Sequence, residues 1–144
     1  MDRISAAKRR INMQHIRCKD TIPEMIVRRL LYAMGYRYRL HDDTLPGKPD
    51  IVLRKHMKLI LVNGCFWHMH DCKEFHYPKT NQEFWVAKIQ RNVHRDNQIT
   101  TELKKLGWDI LVVWECETKG KELSRLKGKI SDFLNTLNTK SMIE

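Results

Sequence analysis

The sequence predicts an α/β fold, a mixed sheet flanked by helices, and three observations carry that prediction. The run Trp108-Asp109-Ile110-Leu111-Val112-Val113-Trp114 is almost unbroken in its apolarity, as expected of a central strand covered on both faces. Ile22, Met25, Ile26, Leu30, Leu31 and Met34 recur at helical spacing. Around these two segments, apolar patterns of the two periods follow one another in the order α-β-β-β-α-β-α, with no internal repeat.

Each element has its own signals. Thr21-Ile22-Pro23-Glu24 starts the first helix, with Thr21 at the N-cap, proline in the first turn and Glu24 as capping-box partner; Gly35 stops it. Tyr36-Arg37-Tyr38-Arg39-Leu40 alternates like a half-exposed strand, and His41 to Pro49 reads as a turn. Asp50–Leu53 and Lys58–Val62 are short, β-branched strands joined through Arg54-Lys55-His56, the pattern of a hairpin. A long loop from Asn63 to Asn81 follows, then a helix opened by a capping box of Thr80 and Glu83 and closed by Gly107. Ile89, Ile99, Leu103 and Leu106 form its apolar stripe; Asn92 and Asp96 interrupt that stripe and need partners. A last amphipathic helix spans about Lys121 to Leu137.

At 144 residues the chain needs no second domain. The expected division is a basic arm or short helix over 1–20, holding Met13 and Cys18, and a single domain over 21–144. The net charge of +10 favours a polyanionic partner such as nucleic acid, an inference that solvated basic surfaces also satisfy. No stretch approaches the roughly 18 apolar residues of a membrane span, and Met1 to Arg10 lacks the apolar core of a leader, so the expected setting is soluble, cytoplasmic and without a membrane partner. Cys18, Cys65, Cys72 and Cys116 are too few for a secreted framework in a chain this size, and read as ligands or core thiols.

The loop after the second hairpin strand concentrates chemistry. Cys65, His70 and Cys72, joined by Cys116 at the end of the apolar strand, offer the four soft ligands of a closed, structural Zn²⁺ site. Buried reduced cysteines are the other explanation, and His68, His76, Asp71 and Cys18 are rival ligands. Asp50 opens a strand beside the polar end of the next, near Val62 and Asn63, where a carboxylate can hold Mg²⁺ against a phosphate; a plain strand-start aspartate fits the same pattern. Phe66, Trp67 and Trp85 either wedge between bases or form a small core. Lys88 and Asn92 share a helical stripe with Trp85, a possible base-contacting face. His68, left over when the zinc ligands are counted, could move a proton at neutral pH or simply be exposed.

Taken together these residues resemble the very-short-patch-repair (Vsr) DNA mismatch endonucleases. The motifs are Asn12-Met13, Asp20-Thr21 with Glu24, Leu45-Pro46-Gly47-Lys48-Pro49-Asp50 and Gly64-Cys65-Phe66-Trp67-His68 in the first half. Glu83-Phe84-Trp85, Lys88-Ile89, Asn92-Val93, Arg95-Asp96, Leu106-Gly107-Trp108 and Val113-Trp114-Glu115-Cys116 continue them. The resemblance implies a restriction-endonuclease-like fold and a Mg²⁺-dependent nick beside a T:G mismatch left by deamination of 5-methylcytosine. It assigns the metal to Asp50 and the carbonyl of Val62, catalysis to His68 and Glu24, and structural zinc to Cys65, His70, Cys72 and Cys116. Phe66, Trp67 and Trp85 match aromatics that intercalate from the major groove, Met13 a residue entering from the minor groove, and Lys88 and Asn92 mismatch-recognition residues.

Two departures follow. Asn63 stands where well-known members carry a second active-site histidine, so it orients a water or leaves more of the proton transfer to His68. The Glu-x-Lys of the wider nuclease fold is replaced by Asn63-Gly64-Cys65. The expected protein is a nucleoid-associated monomer acting on mismatched duplex DNA and handing its nick to downstream repair proteins. A metal nuclease acting on paired sites, or a zinc-stabilised DNA-binding module without chemistry, are the alternatives.

Overall fold

The structure, a computed structural model, describes residues 20–72 and 76–137. Met13, Cys18 and all of the expected arm except Asp20 lie outside the described residues. The order of elements is the one expected: α1 (Ile22–Ala33), β1 (Arg39–Leu40), β2 (Ile51–Leu53), β3 (Lys58–Asn63), α2 (Gln82–Lys105), β4 (Asp109–Trp114) and α3 (Glu122–Asn135). The sheet runs β1-β2-β3-β4, antiparallel across its first two pairs and parallel between β3 and β4, with α2 inside the parallel connection.

Strand periodicity divides the core into two layers. Ile51, Leu53, Ile60 and Val113 point to one face, where Val27 and Leu31 of α1 meet Leu126, Ile130 and Leu134 of α3. Val52 and Leu59 point to the other, against Leu103 of α2 and Trp108. Each fully buried leucine or isoleucine contributes about 1.5–3 kcal/mol, so Leu31→Ala, which also leaves a cavity, costs about 2–5 kcal/mol.

Several expectations are corrected in detail. β4 lies at the edge of the described sheet rather than in its centre. Its residues pack toward both layers, Leu111 and Val113 to one and Ile110 to the other. Coverage of the two faces made the run read as central, whereas the number of lateral neighbours leaves no trace in hydropathy. The strand expected over residues 36–40 is only Arg39–Leu40, paired with Val52 and Ile51 of β2. Asn81 caps α2 from a left-handed conformation (φ 54) with no side-chain bond, so the capping box of Thr80 and Glu83 does not form. Leu106 is 51% exposed: it is the C-cap of α2 and sits past its buried stripe. At the start of α1, Thr21 Oγ1 does accept from the Glu24 amide (3.3 Å), but the Glu24 carboxylate accepts from Asp20 N (3.0 Å) instead of returning to Thr21.

One glycine fixes how the sheet meets α2. Gly47 has φ +73, and a Cβ there would lie 2.5 Å from Ile99, so the Leu45–Asp50 turn packs backbone-close against the helix. That contact delivers Pro49-Asp50 to the start of β2.

Candidate active site and thiol cluster

A cleft of about 1320 Å³ opens beside the C-terminal end of β3, with Glu24, Asp50, Asn63, His68 and Asp96 in its wall. The start of β2 and the end of β3 are neighbours because the hairpin is antiparallel: one step beyond the Ile51↔Ile60 pair, Asp50 comes level with Leu61 and its side chain reaches Val62. Asp50 Oδ2 accepts from the Val62 amide at 2.8 Å. Burial, opposed by that hydrogen bond and reinforced by the negative charge of Glu24, pushes the Asp50 carboxyl up to about 6. A carboxylate held this uncomfortably, with one oxygen already bonded, matches the needs of a hard cation that takes few protein ligands and keeps its waters. The carbonyl of Val62 belongs to the same residue whose amide holds Asp50. Asn63 ends β3 and lines the cleft.

Behind Asp50 lies a network that sequence reasoning did not foresee. Glu24 is buried, and its Oε2 accepts from Arg28 Nη2 at 2.9 Å; the same Nη2 reaches Asp20 Oδ1 at 2.7 Å and His41 Nε2 at 3.1 Å. Hydrogen bonding from the guanidinium holds the Asp20 carboxyl below its ordinary range. Asp20, Glu24 and His41 place ligand atoms within 4.8 Å of one another, but the Arg28 guanidinium already supplies the positive charge there. The hairpin register could have found His41: Leu40 pairs with Ile51, and one step further His41 N donates to Asp50 O at 3.0 Å.

His68 Nδ1 lies 2.5 Å from Asp96 Oδ2. A carboxylate only accepts, so the proton sits on Nδ1 and Nε2 is left to take or give one. Asp96 thereby finds the partner its place on the α2 stripe demanded. Asn92 finds one too, donating from Nδ2 to the Trp67 carbonyl at 3.1 Å, which commits its amide nitrogen within the chain.

Cys65, His70, Cys72 and Cys116 converge with their ligand atoms within 4.8 Å; His68, Asp71 and His76 are not part of that group. Cys116 Sγ is 3.5 Å from His70 Nδ1, close to the roughly 3.6 Å edge of a tetrahedron built on metal–sulfur and metal–nitrogen bonds of about 2.3 and 2.0–2.1 Å. The donor set therefore fits a four-coordinate soft cation with no position left open. Burial, with the neighbouring thiols, pushes the Cys65 thiol up to about 12, and burial raises Cys116 as well. The His70 ring stacks on Trp114 (centroids 4.1 Å apart, 8° between planes), tying the loop to the end of β4.

Phe66, Trp67 and Trp85 form one half-buried aromatic cluster, with centroid distances of 5.0, 5.5 and 5.8 Å. Phe84, 52% exposed, extends it edge-on to Trp85. Lys88 Nζ lies 5.4 Å from the Trp67 ring centre and 5.8 Å from those of Phe84 and Trp85, adding a cation to a flat apolar surface. Among the described residues no helix is long and apolar enough to cross a membrane.

The profile of the family described as DNA mismatch endonuclease Vsr matches residues 1–74. The type II nicking enzyme V.NmeAIP of Neisseria meningitidis is 45% identical over 124 residues, covering 86% of this chain and 89% of that protein. The DNA mismatch endonuclease Vsr of Escherichia coli is 43% identical over 116 residues, covering 81% and 74%. The type II nicking enzyme V.XorIIP of Xanthomonas oryzae is 42% identical over 134 residues, covering 93% and 97%.

Proposed function

Because the chain belongs to the Vsr DNA mismatch endonuclease family and is a DNA-nicking nuclease, we propose that it cuts one strand of duplex DNA beside a T:G mismatch. The mismatch is the product of 5-methylcytosine deamination, and the nick starts its repair. The observation that carries the reading is Asp50: a half-buried carboxylate at the mouth of the cleft, one oxygen held by Val62 N–H and its charge disfavoured by its surroundings. The four-stranded mixed sheet with helices on both faces supports a restriction-endonuclease-like fold.

Asp50 and the Val62 carbonyl hold Mg²⁺, which when bound supplies charge to the scissile phosphate and lowers the pKa of an attacking water. His68, fixed through Nδ1 by Asp96, takes or returns a proton at Nε2. Glu24, anchored by Arg28, adds negative charge at the cleft wall and orients water; Asn63 orients water from the end of β3. Cys65, His70, Cys72 and Cys116 hold a structural Zn²⁺ that pins the aromatic loop. Phe66, Trp67 and Trp85 enter the major groove beside the mismatch, and Lys88 and Asn92 contact its bases. Residues 1–20, arm or short helix, contact the DNA, with Met13 meeting the minor groove; residues 21–144 act as one domain, and the protein acts as a monomer and passes the nick to downstream repair proteins.

Nicking of a labelled T:G duplex and of its fully paired counterpart, each with and without Mg²⁺, tests this. A Mg²⁺-dependent nick on the T:G strand alone is expected. Equal cutting of both duplexes favours a second reading, a metal nuclease acting on paired sites. Nicking that survives removal of divalent cations overturns the role of Asp50.

A further inference from the structure

We infer that His41 is a positioning residue for Asp50: Arg28 locks its ring in the tautomer that carries hydrogen on Nδ1, aimed at the one Asp50 oxygen that Val62 leaves free. The inference rests on the reading of Asp50 as the metal-holding carboxylate.

The two residues are joined through the backbone, His41 N donating to Asp50 O at 3.0 Å. His41 also has φ 48, a left-handed conformation that strains a residue with a Cβ and concentrates where function over-determines the backbone. Its side chain is 16% exposed and lies between the Arg28 network and Asp50. On one side, Nε2 is 3.1 Å from Arg28 Nη2. A guanidinium has donors and no acceptor, so a hydrogen on Nε2 would set two N–H dipoles head to head; Nε2 is the bare nitrogen. On the other side, Nδ1 is 4.0 Å from Asp50 Oδ1, while Oδ2 is taken by Val62 N at 2.8 Å. That separation is longer than a hydrogen bond and is spanned by a small turn of the carboxylate or by one water.

Among the described residues, the remaining charged groups around the ring are Glu24 Oε2 and Asp20 Oδ1, each 3.5 Å from Nε2. They offer the competing tautomer, in which Nε2–H is shared between two carboxylates. Both are already bonded to Arg28 at shorter range, 2.9 and 2.7 Å, so the nearest group to Nε2 remains the donor. His41 thus relays the orientation set by a buried ion pair to Asp50 Oδ1. It leaves the second lone pair of that oxygen for a cation.

The ring nitrogen shifts of ¹⁵N-histidine in the metal-free protein, with His41 assigned by the signals lost in His41→Asn, read the tautomer directly. Protonated Nδ1 and bare Nε2 are expected at a pH above the ordinary histidine range; the opposite tautomer overturns the inference. Two variants separate the two sides of the ring. The amide nitrogen of asparagine overlays Nδ1 and keeps the donor toward Asp50, whereas glutamine reaches the Nε2 position and keeps only the contact with Arg28. His41→Asn is expected to retain kcat within about threefold and His41→Gln to lose about tenfold at unchanged KM. Equal losses in both, or a larger loss in His41→Asn, assign His41 to packing and overturn the inference. With Asp50→Ala inactive, those outcomes remove the inference alone; Asp50→Ala nicking at the parental rate removes the premise about Asp50 instead.

Discussion

Two groups of metal-competent side chains border the same cleft, and they are built in opposite ways. The thiol cluster takes three of its ligands from Cys65 to Cys72 and the fourth from Cys116. The carboxylate group draws Asp20, Glu24, His41 and Asp50 from three separate elements and turns, and Arg28 already neutralises two of its acids. Asp50 is the acid left over. The thiol cluster is a closed shell that needs its cation for cohesion, whereas the carboxylate group is a cohesive frame holding a single unsatisfied ligand toward the cleft.

Removing that ligand gives the largest effect. Asp50→Ala is expected to lower the nicking rate by about three orders of magnitude, the several kcal/mol that a bound cation contributes to phosphoryl chemistry. Duplex binding, read by gel shift, and Tm should stay close to parental. If Asp50→Ala keeps its rate while Glu24→Gln loses it, the frame and the ligand have been assigned the wrong way round.

The thiol cluster should show the reverse. Cys116→Ser removes one ligand and one link between β4 and the loop, and is expected to lower Tm by about 10 °C, a loss of a few kcal/mol in a domain of this size. One equivalent of zinc, measured by metal analysis of the parent, should fall below half. An unchanged Tm together with parental metal content would mean that the four donors are a packed cluster of thiols with no ion to hold.

How far each group could be read from sequence follows from the same contrast. Cys65, His70 and Cys72 were visible because they are neighbours in the chain, and Asp50 because a proline-aspartate step before an apolar strand is a local signal. Arg28 and His41 were not, since a basic residue on the rear face of an amphipathic helix looks solvated and a histidine in a turn looks incidental; only the strand register brings His41 to Asp50, and only the packing of α1 brings Arg28 to His41. The order of elements was legible for the same reason, being a sum of local periodicities. The lateral position of β4, which depends on which strands pair, was not.

Asp50 also makes the contrast visible without any chemistry. Its folded carboxyl titrates near 6 against an ordinary 3.8. Below 3.8 the group is protonated in both states and carries no penalty; as pH rises through about 6 the folded chain must hold a buried charge, and that stability is lost. Asp50→Asn keeps an acceptor for Val62 N–H without the charge. In the metal-free protein its advantage over the parent should be absent near pH 4 and grow to roughly 1–3 kcal/mol above pH 6, read from paired denaturation curves. Asp20 and Asp42 shift in the opposite direction, so their contributions are complete above 3.8 and do not mask the effect. Adding Mg²⁺ should close the gap, because a cation stabilises only the ionised parent. A gap that stays flat with pH would remove the buried charge from the account.

The smallest expected effect lies on the aromatic surface between the two groups. Trp67 touches Phe66 and Trp85, carries Lys88 near its face, and has its backbone carbonyl held by Asn92, so its ring is fixed before any ligand arrives. A pre-set ring costs little entropy to insert into a base step, and the unstacking it must oppose is a few kcal/mol, less at a mismatch than at a paired step. The difference between the two duplexes is therefore the quantity that Trp67 controls. Trp67→Ala should weaken discrimination between T:G and paired duplexes about five- to tenfold in kcat/KM, about 1 kcal/mol, while the rate on mismatched DNA at saturation falls less. Lys88→Ala leaves the rings in place and should weaken both duplexes alike, with a shallower salt dependence. If Trp67→Ala instead lowers Tm as far as Cys116→Ser and leaves discrimination intact, the ring belongs to the thiol cluster as its apolar packing, and the reading of mismatches must be sought on another face.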